Sequence, residues 1–167
     1  MKAIIYESNS GSTQKYAQML ADKLGVQVYS LNDARKAVPK GEECVFLGWV
    51  FANKIQGLSK ANKLWKLKCA AAVGMNAHGE KYSQIIKEAN NISVPLFYLR
   101  GALDLSRLKW LQRKLLEAIR SDLEKQNKPG TEEMIQILRD GCDFVCEENL
   151  SEMLAFLMMS SQITTNP

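Results

Sequence analysis

Ser8-Asn9-Ser10-Gly11-Ser12-Thr13 gathers four hydroxyls, one amide and a glycine into six residues, directly after the apolar run Ala3-Ile4-Ile5-Tyr6 and Glu7. From Ala17 onward, apolar residues recur at helical spacing through Leu20, Ala21 and Leu24, and Gly25 supplies a stop. A strand running through such a loop into a helix prepares an anion site. The first helical turn has backbone N–H groups without intrahelical partners and the positive end of the dipole, so an anion there gains hydrogen bonds and field together. Hydroxyls at Ser8, Ser10 and Thr13 add donors, and Gly11 lets the backbone approach a ligand closely. The loop contains no lysine, so its own donors are neutral and suit a monophosphate.

Two better-known phosphate loops are excluded by absent residues. Walker A requires a lysine followed by Ser or Thr after its second glycine, whereas Gly11 is followed by Ser12 and Thr13. The dinucleotide fingerprint requires three glycines, and this loop has one. The same residues are also good helix caps whatever the ligand, so loop chemistry alone leaves a plain strand-to-helix connection open.

The elements that must position this loop follow from hydrophobic patterning. Strand-like runs occur at 3–6, 26–31, 44–48, 69–75 and 94–99, and helical candidates lie between them at 13–24, 58–67, 80–91 and 105–127. The stretch 32–42, with Asn32, Asp33, Pro39 and Gly41, reads as a loop with one helical turn. Alternation of this kind predicts an α/β three-layer sandwich: a five-stranded parallel sheet of order 2-1-3-4-5 with helices on both faces. Its ligand crevice would open at the carboxyl ends of strands 1 and 3. Loops 7–13, 49–57 and 76–79 would meet there.

The 105–127 segment carries a stripe of Leu108, Leu111, Leu115, Ile119 and Leu123, widened by Leu116. Covering the last sheet edge accounts for that stripe. A membrane-surface or partner helix, with Trp110 beside Arg107, Lys109, Arg113 and Lys114, is the less favoured reading. After Asn127-Lys128-Pro129-Gly130, a C-terminal helical extension over about 131–160 is expected, with helices near 131–140 and 150–159. The whole chain, 1–167, reads as one domain with a core over about 1–127.

Composition narrows the class further. At 167 residues and 46% apolar content the chain can bury one substantial core. A net charge of +4 from scattered lysines and arginines gives a solvated surface and no nucleic-acid footprint. No leader-like N-terminus and no run approaching ~20 apolar residues are visible, so a soluble cytoplasmic protein is expected. Cys44, Cys69, Cys142 and Cys146 lack the C-x-x-C spacing of metal and redox motifs and are expected to be reduced and structural.

With these loops in place, the chain resembles the flavodoxin-like FMN-binding domains through Ser8-Asn9-Ser10-Gly11-Ser12-Thr13. Within that superfamily it is most similar to the menaquinone-dependent protoporphyrinogen dehydrogenase branch. Gly101-Ala102-Leu103 followed by Arg107, Lys109-Trp110 and Arg113 carries that similarity, with Gly48-Trp49-Val50-Phe51 and Val73-Gly74-Met75-Asn76 in support. The resemblance implies FMN held noncovalently, its phosphate on Ser8–Thr13 and its ring between the 49–57 and 76–79 loops. Trp49, Val50, Phe51 and Asn53 would supply a flat apolar surface with a polar edge, and Met75, Asn76, His78 and Gly79 would meet the ring's other edge. His78, the sole histidine, is equally a loop residue or a proton donor.

The function expected on this basis is that of an FMN-binding redox protein, in electron transfer or as a small quinone-linked oxidoreductase. Its partner would be a redox protein or a quinone. No catalytic acid–base pair is expected, because the flavin performs the chemistry. The alternative is a flavodoxin-fold interaction module that has lost flavin chemistry. A phospho-acceptor receiver is the less favoured reading, since it needs clustered carboxylates at the ends of strands 1 and 3 and Glu7 is the only one present there, with Gly48-Trp49 where its acceptor belongs. The charge departs from the acidic short-chain flavodoxins, and no porphyrin-binding set is carried over.

Overall fold

The computed structural model describes residues 1–76 and 80–162. Along the chain these form β1 (Ala3–Glu7), α1 (Ser12–Leu24), β2 (Gln27–Ser30), α2 (Leu31–Ala37), β3 (Glu43–Phe51), β4 (Lys54–Ile55), α3 (Leu58–Leu64) and β5 (Lys66–Gly74). There follow α4 (Glu80–Ala89), β6 (Leu96–Arg100), β7 (Ala102–Leu103), α5 (Trp110–Gln126), α6 (Glu132–Asp140), β8 (Cys142–Asp143) and α7 (Ser151–Gln162). The main sheet has the order β2-β1-β3-β5-β6, every neighbour parallel, which is the expected 2-1-3-4-5 arrangement of the long strands. Two short elements are additional: β4 folds back antiparallel on the end of β3, and β7 pairs with β8.

Strand alternation divides the core in two. Ala3, Ile5, Phe46, Ala70 and Ala72 face α2, α3 and α4, with Leu31, Ala34, Leu58, Ala61 and Ile86 packed on them. Ile4, Val45, Leu47, Cys69, Ala71 and Val73 face the other way, onto Tyr16, Ala17 and Leu20 of α1 and Leu150, Met153 and Leu157 near the C-terminus. Each fully buried large aliphatic side chain contributes about 1.5–3 kcal/mol. α7 therefore completes a helical layer of the sheet. Among the described residues no helix is long and apolar enough to cross a membrane.

Local expectations are revised in two places. The 32–42 stretch contains the seven-residue α2, capped by Ser30, whose Oγ accepts a hydrogen bond from Asp33 N–H at 3.2 Å. Only Leu31 and Ala34 of this helix are buried, too few to reveal a period. The second revision concerns α5, which was expected to lay its stripe on the last sheet edge. Instead Leu108, Leu116 and Leu123 pack with Leu103, Ile137 and Leu138 in a third cluster above the carboxyl ends of the strands. Leu111, Leu115 and Ile119 remain exposed. The stripe is split because α6 covers one flank only, and periodicity does not specify which flank a partner helix takes.

Candidate functional site

The turn into α1 starts from Gly11, which sits at φ 100° as the N-cap and offers no side-chain cap. A residue with a Cβ is strained there, whereas glycine is not. The first intrahelical bond runs from Lys15 N–H to Gly11 C=O at 3.0 Å. The preceding N–H groups of the first turn therefore have no intrahelical acceptor, and the turn contains no acidic residue. A Cβ built on Gly11 meets nothing within 4 Å, so the space beside the loop is open.

The hydroxyls divide their work. Ser8 Oγ accepts from Gly11 N–H at 3.1 Å and holds the turn, while Ser12 Oγ accepts from Ala102 N–H at 3.1 Å and ties the loop to the segment after β6. Ser10 and Asn9 are exposed, and Thr13 is only 1% exposed. Glu7 lies on the sheet face away from α1, its Cβ beside Gly57, so its carboxylate is directed away from the anion position.

Beside this loop is a cleft of about 190 Å³, lined on one side by Asn9, Ser10, Ser12 and Thr13. Its second wall is Trp49, Val50 and Phe51, the last residues of β3. The hairpin to β4 fixes that wall: Val50 pairs with Ile55 and Phe51 with Lys54, around Ala52 and Asn53, both at positive φ. Trp49 and Phe51 stand 5.9 Å apart between ring centroids, tilted by 47°, and Phe51 is half exposed. Gly48 allows the close return of the hairpin, since a Cβ there would lie 2.5 Å from Ile55 Cγ2 and 2.6 Å from Gln56 O.

The third wall combines Val73, Gly74 and Met75 with Gly101, Ala102 and Leu103, and Leu108 with Gln112, Leu115 and Leu116 of α5 closes the top. A second hollow of about 270 Å³ adjoins the first and shares Asn9, Ser10, Leu108 and Gln112 with it; Gly11 lines this part. The result is an apolar slot joined to a polar end at the start of a helix.

Most of the expected residues converge: Asn9, Ser10, Ser12, Thr13, Trp49, Val50, Phe51 and Met75 line the cleft, and Gly11 its extension. Ser8 stands behind the loop. Asn53 is not brought to the cleft; it sits at the hairpin tip with φ 61°, its carbonyl accepting from Asn90 Nδ2 at 2.7 Å. Asn76 lies against the hydroxyls of Tyr82 and Tyr98, whose rings meet edge-to-face at 5.2 Å. Burial raises both tyrosine pKa values, so these phenols stay protonated through the physiological range. His78 and Gly79 lie outside the described residues. The lining from α5 was missed by motif reasoning, although Gly101-Ala102-Leu103 signalled that this segment matters.

A parallel α/β sheet of this order, with its crevice at the carboxyl ends of β1 and β3, defines a doubly wound ligand-binding fold. The chain belongs to the flavodoxin domain family, whose model matches residues 3–129. A solved structure of a flavodoxin from the domain Archaea is similar to it at 21% identity, over 60% of this chain and 84% of that one, with a TM-score of 0.36. No curated protein matches the sequence.

The residues present fit the flavin that this family implies. Uncapped donors and open space at Gly11 suit a phosphate, and the slot between Trp49–Phe51 and Met75 suits a flat apolar ring.

Proposed function

We propose that this protein binds FMN in the cleft beside α1 and acts as a redox protein, in electron transfer or as a small quinone-linked oxidoreductase. The observation that carries the reading is the uncapped first turn of α1 opening onto an aromatic-walled slot. Bound FMN would supply the electron and hydride chemistry. The backbone donors after Gly11 and the hydroxyls of Ser10 and Thr13 would hold the phosphate, while Trp49, Phe51 and Met75 would orient the ring and shield it from water. Phe51 and Leu115, exposed at the mouth, leave one side of the slot accessible to a donor or acceptor.

The similarity to the menaquinone-dependent protoporphyrinogen dehydrogenase branch supports the quinone-linked form, because Gly101, Ala102, Leu103 and Arg107 of the segment that carries it line the cleft and its extension. No porphyrin is assigned as substrate.

Titrating the purified protein with FMN, followed by quenching of flavin fluorescence, tests the reading. Saturable one-to-one binding that weakens when Ser10 and Thr13 are both replaced by alanine supports it. Absence of binding in the folded protein overturns it and leaves the interaction-module alternative. Reoxidation of the photoreduced FMN complex by soluble quinones, compared with one-electron acceptors, then separates enzyme from carrier.

A further inference from the structure

The phosphate loop contains no cation of its own, yet the fold brings one to it. Arg107, in the helical turn between β7 and α5, lines the hollow at the polar end of the cleft together with Asn9, Ser10 and Gly11. It is the only charged residue in that lining; Leu108 and Gln112 complete it. Resting on the flavin reading, we propose that Arg107 and Gln112 are phosphate-binding residues that close the loop from the opposite side and select phosphorylated flavin over unphosphorylated riboflavin.

The local hydrogen bonds prepare both side chains. Asp104 accepts from Ser106 N–H at 2.9 Å and from Ser106 Oγ at 2.6 Å, and these bonds with Arg107 hold its carboxyl below the usual carboxylate range. Arg107 Nε pairs with Asp104 Oδ2 at 3.2 Å, which steadies the guanidinium while its two terminal nitrogens make no other hydrogen bond or ion pair among the described residues. Its side chain is 71% exposed, so a ligand can reach it. Gln112 Oε1 is engaged by Lys109 N–H at 2.9 Å, which leaves the amide NH2 as a donor. A guanidinium and an amide facing a helix N-terminus across one hollow form a donor set for a dianion that neither segment supplies alone. The acidic groups nearby, Asp104, Asp140 and Asp143, line a neighbouring hollow that shares Ser10 and Arg107 with this one and also holds Lys15; none of the three lines the hollow at Gly11.

Dissociation constants of wild type, R107A, R107Q and Q112A for FMN and for riboflavin, measured by fluorescence quenching at low and high salt, test the proposal. R107A and R107Q are expected to weaken FMN roughly ten- to hundredfold and to lose most of the salt dependence, with riboflavin affinity unchanged. Q112A is expected to weaken FMN a few-fold in the same selective way. Equal loss for both ligands would mark a structural effect and overturn the proposal, as would unchanged FMN affinity in either arginine variant. A wild-type protein that binds neither ligand would overturn the flavin reading itself. Far-ultraviolet circular dichroism on each variant verifies that the fold is intact.

Discussion

Ser12 Oγ accepts a hydrogen bond from Ala102 N–H across 3.1 Å, joining the first turn of α1 to the residue that starts β7, ninety positions away in the chain. The bond fixes the floor of the cleft, because Ser12 and Ala102 both line it. Replacing Ser12 by alanine leaves the Ala102 N–H without that acceptor. We expect S12A to lower unfolding free energy by about 1–3 kcal/mol in urea titration and to weaken FMN binding.

Gly11 and Gly48 predict different kinds of damage. At Gly11 there is room for a methyl group but the backbone is at φ 100°, so G11A should cost about 1–2 kcal/mol through backbone strain alone. At Gly48 the added Cβ collides with Ile55 Cγ2 and Gln56 O, so G48A should displace the β3–β4 hairpin. Tryptophan fluorescence provides the check, with the Trp49 environment changing in G48A and not in G11A.

Tyr16 ties the ends of the fold together. Its hydroxyl donates to Arg100 C=O at 2.6 Å and accepts from Asn149 Nδ2 at 2.6 Å, in a side chain with no exposed surface. Y16F removes both bonds and should cost about 1–3 kcal/mol by urea titration. Hydrogen exchange should rise around 144–150 and 100–103 before it rises in the central strands.

Cys69 sets an alkaline limit. Burial between β3 and β6 pushes its thiol from 9 up to about 12. The folded state then holds a proton that the unfolded state releases above pH 9, so stability present below that pH is lost as pH rises toward 12, by roughly 1.4 kcal/mol per unit. Urea midpoints measured from pH 8 to 10.5 should fall more steeply in wild type than in C69A.

The divided stripe of α5 can be resolved one residue at a time. L111A, at a side chain 70% exposed, should change stability by less than about 0.5 kcal/mol. L116A, at a position packed in the third cluster, should cost about 1–3 kcal/mol. Equal effects at the two positions would contradict the packing of α5 on α6.

The strand order, the helix-start loop and the two cleft walls formed by that loop and by the end of β3 were legible from the chain because each depends on local physics. Period-two and period-3.6 patterning marked β1, β3 and α1, and the hydroxyl-rich turn marked where an anion gains donors. Asn53 was misplaced because a two-residue turn at positive φ reverses the strand just before it could reach the crevice, and Ala52-Asn53 carries no glycine to announce that turn. Which flank of α5 would be buried was likewise absent from the pattern.

The sequence by itself determined a parallel α/β sheet with a phosphate-type loop after its first strand, since alternation and turn chemistry act between near neighbours in the chain. Only the tertiary structure decided that α7 completes the α1 layer, that α5 roofs the cleft, and that Arg107 stands opposite Gly11. Those three placements depend on surfaces meeting between elements far apart in the chain, Arg107 and Gly11 among them. Shape and burial select such contacts after the local elements exist, and no spacing along the chain encodes them.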